Sequence, residues 1–274
     1  MSYTLNTNIS SQQSNLYANQ NSLNQNRSLS ALSSGSKLTQ AANDAASLAI
    51  SEKLLALVAG SAQGIQNSNE SIGLYQVAEG GLSGIEDNTQ RIRVLTLQAS
   101  NDTLGASDRA NIQKEIDALS ESSQDIANST SFNGINLLDG TGGSQGDGTF
   151  VTQTGANLGD TQSVSIADMR TAIPNVDVTT QAGRDTALSS IDSGLSVIAD
   201  TRTTIGAAQN ALISAIKNTS VSQINAAAAA SQLKDVDFAQ ESANFSRQNI
   251  LAQTGAFTQA QANSRNSNIA SLLG

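Results

Sequence analysis

The sequence predicts a mainly α-helical fold: a long antiparallel helical rod, or coiled coil, formed by both chain ends, with a small β-hairpin insert. Three observations predict it. The 274 residues contain a single proline, which permits long uninterrupted helices. Apolar residues recur at every seventh position near both ends of the chain, as they do in a coiled-coil seam. Near residue 140 the composition changes to Gly and Thr, with an alternation typical of short strands.

Both terminal segments carry a thin apolar stripe in an otherwise polar sequence. Two apolar residues in seven are typical of a coiled-coil seam and too few for a globular core. We therefore expect the two terminal segments to pack on each other. The residues predicted to make these arm contacts are Ile9, Leu16, Leu23, Leu29, Leu32, Val236, Phe238, Phe245, Ile250, Phe257, Leu272 and Leu273.

Between the arms, the apolar spacing predicts long helices. One helix is expected over about 45–99, which at ~1.5 Å per residue is about 80 Å long. Gly35 is expected to end the helix before it, and Asp44 to hold a turn or cap it. Ser107 or Asp108 is the expected N-cap of a shorter helix that follows. Another rod helix is predicted from apolar residues seven apart, which are Ile191, Ile198, Ile205 and Leu212.

The middle of the chain predicts the β insert. The Asn-Gly pair in "SFNGINLLDG" indicates a tight turn, and strands are expected near 149–154 and 161–167 around the turn "GANLGD". "RTAIPNVDVTTQAGRD", which contains Pro174, predicts an irregular surface segment. The predicted divisions are an N-terminal coiled-coil arm and spoke (1–44), the N-terminal half of the helical rod domain (45–140), a short variable β/loop insert (141–184), a C-terminal rod helix (185–232) and a C-terminal coiled-coil arm (233–274).

Composition argues against several functions. A net charge of −9 disfavours nucleic acid and anionic membrane surfaces as partners. Without Cys or His, the chain lacks thiolate nucleophiles, imidazole bases and the usual zinc ligands, so we expect no enzyme, metal or cofactor. No apolar run approaches ~18 residues, which predicts no transmembrane helix. The first ten residues do not resemble a cleavable signal peptide, as in a cytoplasmic protein or one exported without cleavage.

Several stretches, in order, resemble one protein family. "SLSALSSGSKLTQAANDAASLAISEKL" is similar to the Leu-Ser-Ser-Gly…Asp-Asp-Ala-Ala signature of bacterial flagellins, with Asn43-Asp44 in place of the Asp pair. "TQRIRVLTLQAS" and "SFNGINLLDG" continue the resemblance. Near the C-terminus, "KDVDFAQESANFSRQNILAQTGAFTQAQAN" and "SLLG" are similar to the family's C-terminal arm. The resemblance covers roughly 1–140 and 185–274, so the chain looks like a short flagellin without large outer domains.

The resemblance implies a function and a set of partners. Flagellins are structural subunits that assemble into the helical flagellar filament for swimming motility. They are exported unfolded by a type III apparatus and polymerise at the tip beneath a cap. Their arms are disordered in the monomer and fold together on assembly. The implied location is the extracellular filament, and the implied partners are other flagellin subunits, the cap, hook-junction proteins and an export chaperone, with no nucleic acid or membrane.

A second implied site lies on the predicted rod. "QRIRVLTLQAS" resembles the family stretch recognised by the innate immune Toll-like receptor for flagellin. Arg91, Leu95 and Gln98 match that stretch, and Glu115 matches its acidic partner on the next helix. The same residues are expected to serve assembly, and an ordinary packing stripe or solvated face would also explain them. Val94 stands where many members carry Glu.

Two other functions remain as alternatives. Hook-filament junction proteins resemble flagellins at their ends, but less so through "QRIRVLTLQAS" and "SFNGINLLDG", both of which are present here. A non-flagellar signalling coiled coil of chemoreceptor type would need unbroken heptads and a membrane anchor, and the sequence predicts neither.

Overall fold

The computed structural model describes residues 8–273, and for residues 269, 270, 272 and 273 it describes the helical backbone alone. The chain divides into two compact units. We call them the terminal unit, Met1–Ala56 with Ala226–Gly274, and the central unit, Leu57–Asn225.

Long helices from both ends of the chain dominate the described residues, and this confirms the predicted fold class. Helix α2 has the predicted bounds. The helices are α1 (Ile9–Ser34), α2 (Ala45–Ala99), α3 (Ala106–Ser129), α4 (Met169–Ala172), α5 (Gln181–Lys234) and α6 (Phe238–Leu273). The strands are β1 (Ser131–Phe132), β2 (Ile135–Asn136), β3 (Thr149–Gln153) and β4 (Thr161–Ser165).

Local capping explains where the terminal helices begin and end. Gly35 follows α1 with a φ of 68°, a left-handed conformation that glycine adopts without a Cβ clash. Asp44 precedes α2 and accepts a hydrogen bond from the Ser47 N–H at 3.0 Å. Asp237 does the same for α6, accepting from the Ala239 N–H at 3.0 Å. The predictions for Gly35 and Asp44 are confirmed.

The predicted start of α3 is wrong by one or two residues. The helix begins at Ala106, with Gly105 as its N-cap. Asp108 lies inside the first turn, where its carboxylate accepts a hydrogen bond from the Gly105 N–H at 3.1 Å. A carboxylate at this third helical position can bond back to the cap, which a search for the cap residue alone does not distinguish.

The β insert consists of two antiparallel hairpins. β1 pairs with β2 through the tight turn Asn133-Gly134, whose φ angles are 51° and 78°. β3 pairs with β4, with Thr149 opposite Ser165 and Gln153 opposite Thr161. Both the predicted turn and the two predicted strands are therefore confirmed.

The longer hairpin lies along helix α2, where glycines give its backbone room. A Cβ on Gly64 would stand 2.6 Å from the Thr154 carbonyl oxygen, and a Cβ on Gly60 would stand 2.7 Å from the Ala156 Cβ. Just beyond, the Asn67 side chain donates to the Gln153 carbonyl at 3.2 Å. The close approach of strand and helix therefore requires glycine on this face of α2.

The apolar core of the central unit forms two clusters. In one, α2 and α5 pack with the β insert around Leu82, Ile85 and Ile198. In the other, α2, α3 and α5 meet around Ile92, Ile116 and Ile191. The predicted stripe on α5 is confirmed, because Ile191, Ile198, Ile205 and Leu212 are all fully buried.

The segment after α4 is not the irregular surface that the sequence predicts. Pro174, Val176 and Val178 are buried, while the residues between them are exposed. Gln113 on α3 pairs with this segment like a neighbouring strand: its amide donates to the Val176 carbonyl at 2.8 Å and accepts from the Val178 N–H at 2.7 Å. The alternation of Pro174, Val176 and Val178 was the signal for a half-buried extended segment.

Helix α2 is also more apolar than expected. It contains an 18-residue window with a mean hydropathy of 1.4, of which 11% is buried, so by length and composition alone it is apolar enough to cross a membrane. This differs from the expectation of no such helix. Core helices of soluble proteins pass the same test.

Candidate assembly surfaces

The two terminal helices, α1 and α6, form an antiparallel pair in the terminal unit, which we call the arm pair. Asn8, at the start of α1, donates to the Ala262 carbonyl at 3.3 Å. Asn21, further along α1, donates to the Gln248 carbonyl at 2.8 Å. The packing of the two chain ends on each other is therefore as predicted.

The seam of the arm pair is polar and small rather than apolar. Its half-buried or buried positions recur at intervals of three and four residues, as in a coiled coil. On α1 they include Ser11, Ser14, Ala18, Asn21, Gln25 and Ser28, and on α6 Glu241, Phe245, Gln248, Gly255, Gln259 and Ala262.

Side-chain amides make the contacts across this seam. Besides the bonds from Asn8 and Asn21, the Gln25 amide donates to the Asn249 side-chain oxygen. The Gln259 amide likewise donates to the Asn15 side-chain oxygen. Sequence reasoning missed these residues, although Asn and Gln recur along both arms. We call the amides of Asn8, Asn15, Asn21, Gln25, Asn249 and Gln259 the amide seam.

Most of the residues predicted to make the arm contacts lie outside the seam. Their side chains are 53–72% exposed: Ile9, Leu16, Leu23, Leu29, Phe238, Ile250 and Phe257. Leu32, Val236 and Phe245 are half-buried, and the side chains of Leu272 and Leu273 lie outside the described residues. The structure therefore corrects the expectation that this stripe joins the two arms. Seven-residue spacing puts residues on one face of a helix, but it does not say what covers that face.

A groove runs between the two helices on one side of the arm pair, with a volume of about 410 Å³. Tyr17 and Leu251 stand at it, and both are more than half exposed. Neither residue was predicted as an arm contact. The outer surface of the arm pair is therefore more apolar than its seam.

A short backbone bridge closes the base of the arm pair, where both chains leave helical geometry. The Val236 N–H donates to the Gly35 carbonyl at 3.0 Å, and the Lys37 N–H donates to the Lys234 carbonyl at 2.8 Å. The Lys37 ammonium also donates to the Gln232 carbonyl at 2.8 Å. The breaks after α1 and after α5 thus support each other.

The structure brings together three of the four residues predicted on the rod surface. Arg91 on α2 and Glu115 on α3 form an exposed ion pair, with 2.7 Å between Nη2 and Oε1. Gln98 is exposed on the same helix as Arg91. Leu95 is only 2% exposed and belongs to the core cluster around Ile92, so it supports this surface from below and does not line it.

The strongest local electrostatics lie beneath the β insert. Hydrogen bonds from Arg170, at 3.0 and 2.9 Å, lower the pKa of the Asp168 carboxyl below its ordinary value. Burial raises the pKa of Asp139, but hydrogen bonds from Asn136 and Thr141 outweigh it and leave the pKa lowered. These carboxylates hold loop geometry. Among the described residues, no group of three or more acidic side chains could hold a metal ion.

Comparison with known proteins shows which family has these arms. The bacterial flagellin N-terminal helical region matches residues 5–142, and the bacterial flagellin C-terminal helical region matches residues 188–273. The chain belongs to the flagellin family. The part between the two matched regions contains the longer hairpin and the Pro174 segment, where flagellins are expected to differ most.

Individual flagellins agree with this assignment. The chain is 37% identical to a flagellin of Halalkalibacterium halodurans, over 90% of this chain and 91% of that one. It is 34% identical to the flagellar filament 31.3 kDa core protein of Treponema maltophilum, over 98% and 99% of the two chains. The crystal structure of a Bacillus cereus flagellin superposes with a TM-score of 0.51 at 26% identity, covering 56% of this chain and 88% of that one.

Proposed function

We infer that this flagellin is a structural subunit of a bacterial flagellar filament, which assembles from many copies of the chain. One observation carries the inference: the arm pair turns its amides inward and its large apolar side chains outward. Ile9, Leu16, Ile250 and Phe257 are all more than half exposed. An arm pair of this kind needs further copies to cover it.

Magnitudes support this reading. Burying a Leu, Ile or Phe side chain stabilises by roughly 1.5–3 kcal/mol, whereas a hydrogen bond contributes about 0.5–1.5 kcal/mol net. The bonds of the amide seam are partly or wholly exposed, which places them at the low end of that range. Neighbouring copies that cover the outer stripe therefore add more free energy than the seam itself. The arm pair is expected to be weak in the isolated chain and stable in the polymer.

The test is polymerisation of a variant with a polar outer stripe. We expect Leu16→Ser with Phe257→Ser to raise the critical concentration for seeded polymerisation more than about a hundredfold, because two buried side chains are lost per copy. Sedimentation and electron microscopy measure it. The matched control is Gln13→Ser with Gln253→Ser, two exposed amides on the same helices. Filaments of the first variant at the control's critical concentration would contradict the proposal.

Export and final location follow from family membership as proposals. We propose that the chain is secreted unfolded with the help of an export chaperone, and that it adds to the distal tip beneath the cap, outside the cell and beyond the hook-junction proteins. The absence of Cys suits passage of an unfolded chain, because no disulfide can form in transit. Pulse-labelled chain accumulating in the medium of a cap-deficient strain, and inside an export-deficient strain, is the expected result.

The rod surface supports a second, separate proposal. Arg91, Gln98 and Glu115 offer an exposed polar surface of the kind that a host Toll-like receptor for flagellin would contact, or that a neighbouring subunit would cover. Val94 and Leu97 lie exposed on the same helix. Arg91→Ala is expected to weaken receptor activation by the monomer, measured in a reporter cell line. Unchanged activation would remove Arg91 from the contact.

A further inference from the structure

We propose that the amide seam determines the register of the arm pair: its side chains select one alignment of α1 on α6 from a set of alignments spaced by one heptad. This proposal rests on the proposed function, since the filament is where the arm pair is stable. It assigns a positioning role to Asn15, Asn21, Gln25, Asn249 and Gln259.

The apolar residues of the arms cannot select a register by themselves. Ile9, Leu16 and Leu23 are spaced by seven residues on α1, and Ile250 and Phe257 are spaced by seven on α6. If α1 slides along α6 by one heptad, nearly the same apolar stripe faces outward again. A repeating pattern of this kind leaves the alignment degenerate.

The amides break this degeneracy. Gln25 faces Asn249, and Asn21 faces Gln248. A slip of one heptad toward the C-terminus would bring Gln25 to Ala256 and Asn21 to Gly255, which have no polar side chain. A half-buried amide that loses its partner destabilises the slipped alignment, and a polar residue in a coiled-coil seam is known to specify register in this way.

The seam also shows the cost expected of residues that serve specificity. The side-chain oxygen Oε1 of Gln248 is buried and accepts no hydrogen bond from any residue that the structure describes. A seam selected for stability alone would place an apolar side chain there. Polar seam positions that lower stability while fixing alignment are the pattern found in coiled coils.

The backbone bridge at the base does not make the amide seam redundant. That bridge pairs Ser36 with Asp235, at one end of the arm pair. Asn15 lies about six turns further along α1, roughly 30 Å away at 1.5 Å per residue. Over that length, the seam contacts are what hold α1 and α6 in one alignment.

The test uses thiol cross-linking in the full-length chain, whose lack of Cys makes engineered pairs unambiguous. Asn15→Cys with Gln259→Cys reports the observed register. Asn15→Cys with Asn266→Cys reports a slip of one heptad, because Asn266 lies seven residues further along the same half-buried face of α6. A short bifunctional thiol reagent is applied to soluble chain and to sedimented polymer, and the yields of the two reporters are compared.

The seam variant is Asn21→Leu with Gln25→Leu, and the matched control is Asn19→Leu with Asn26→Leu. The two control residues are exposed amides on α1 that make no side-chain hydrogen bond among the described residues. We expect the ratio of native to slipped cross-link to fall about tenfold in the seam variant and to stay unchanged in the control. An equal ratio in seam variant and control overturns the proposal. So does the absence of a native-register cross-link from both fractions of the reporter chain.

A second pair of variants covers the case in which the leucine variant precipitates. Gln25→Glu alone should lower the ratio of native to slipped cross-link, and Gln25→Glu with Asn249→Lys should restore it, because the charges attract only in the observed register. Lack of restoration overturns the proposal. The proposed function fails by a different observation, which is the absence of filaments from the unmodified chain in electron microscopy.

Discussion

Arg109 shows how a single side chain secures the turn between two helices of the central unit. It lies on α3, yet its guanidinium donates to the Ala99 carbonyl at 3.0 Å and to the Asn101 carbonyl at 3.1 Å, where α2 ends. Its side chain is mostly buried. Carbonyls at a helix C-terminus lack intrahelical partners, so a cation placed there both satisfies them and complements the helix dipole.

The contribution of Arg109 should exceed that of an exposed ion pair. We expect Arg109→Ala to lower the free energy of unfolding by about 1.5–3 kcal/mol, because charged hydrogen bonds to two carbonyls are lost. Arg93→Ala is the matched control, since Arg93 pairs with Asp192 at the surface, where such pairs contribute about 0–1 kcal/mol. Urea unfolding of the two variants measures the difference. Equal midpoints would show that Arg109 does not support the turn.

Glycines in α2 divide into those that make room and those that do not. Gly64 lies under the longer hairpin, where a Cβ would meet the backbone of Thr154. Gly73, two and a half turns further along, has nothing within 4 Å of the place where its Cβ would stand. The same residue type in the same helix therefore has opposite reasons to be present.

Alanine substitutions should separate the two glycines by sign. Gly64→Ala is expected to destabilise by about 1–3 kcal/mol, since the hairpin backbone must move away from α2. Gly73→Ala is expected to stabilise by about 0.5–1 kcal/mol, because alanine loses less backbone entropy in a helix. Midpoints of urea unfolding, compared with the unmodified chain, give both signs. A stabilising Gly64→Ala would mean that the hairpin does not depend on this close approach.

The whole molecule combines a core that needs no partner with arms that do. The central unit buries two apolar clusters, whereas the outer surface of the arm pair remains apolar and exposed. Removal of residues 1–30, or of residues 240–274, is therefore expected to abolish filaments and to leave the central unit folded. Electron microscopy and thermal unfolding by circular dichroism check the two parts. Filaments from either truncated chain would show that assembly does not need the arm pair.

Local rules in the sequence determined much of this flagellin by themselves. Helix α2, the cap at Gly35, the Asn133-Gly134 turn and the strands of the longer hairpin all follow from short-range spacing and turn chemistry, because the interactions that fix them lie within a few residues. The family was likewise identified from stretches read in order. The stripe on α5 was predicted as a packing face because every seventh residue is apolar.

Only the tertiary structure decided which surfaces lie inside. It turned the amides of α1 and α6 inward and left Leu16 and Phe257 exposed, it buried Leu95 beneath Arg91 and Gln98, and it buried the segment around Pro174 against Gln113. The physical reason is the same in each case. Periodicity assigns a side chain to a face of its own helix or strand, whereas burial of that face depends on a partner far away in the chain or in another copy.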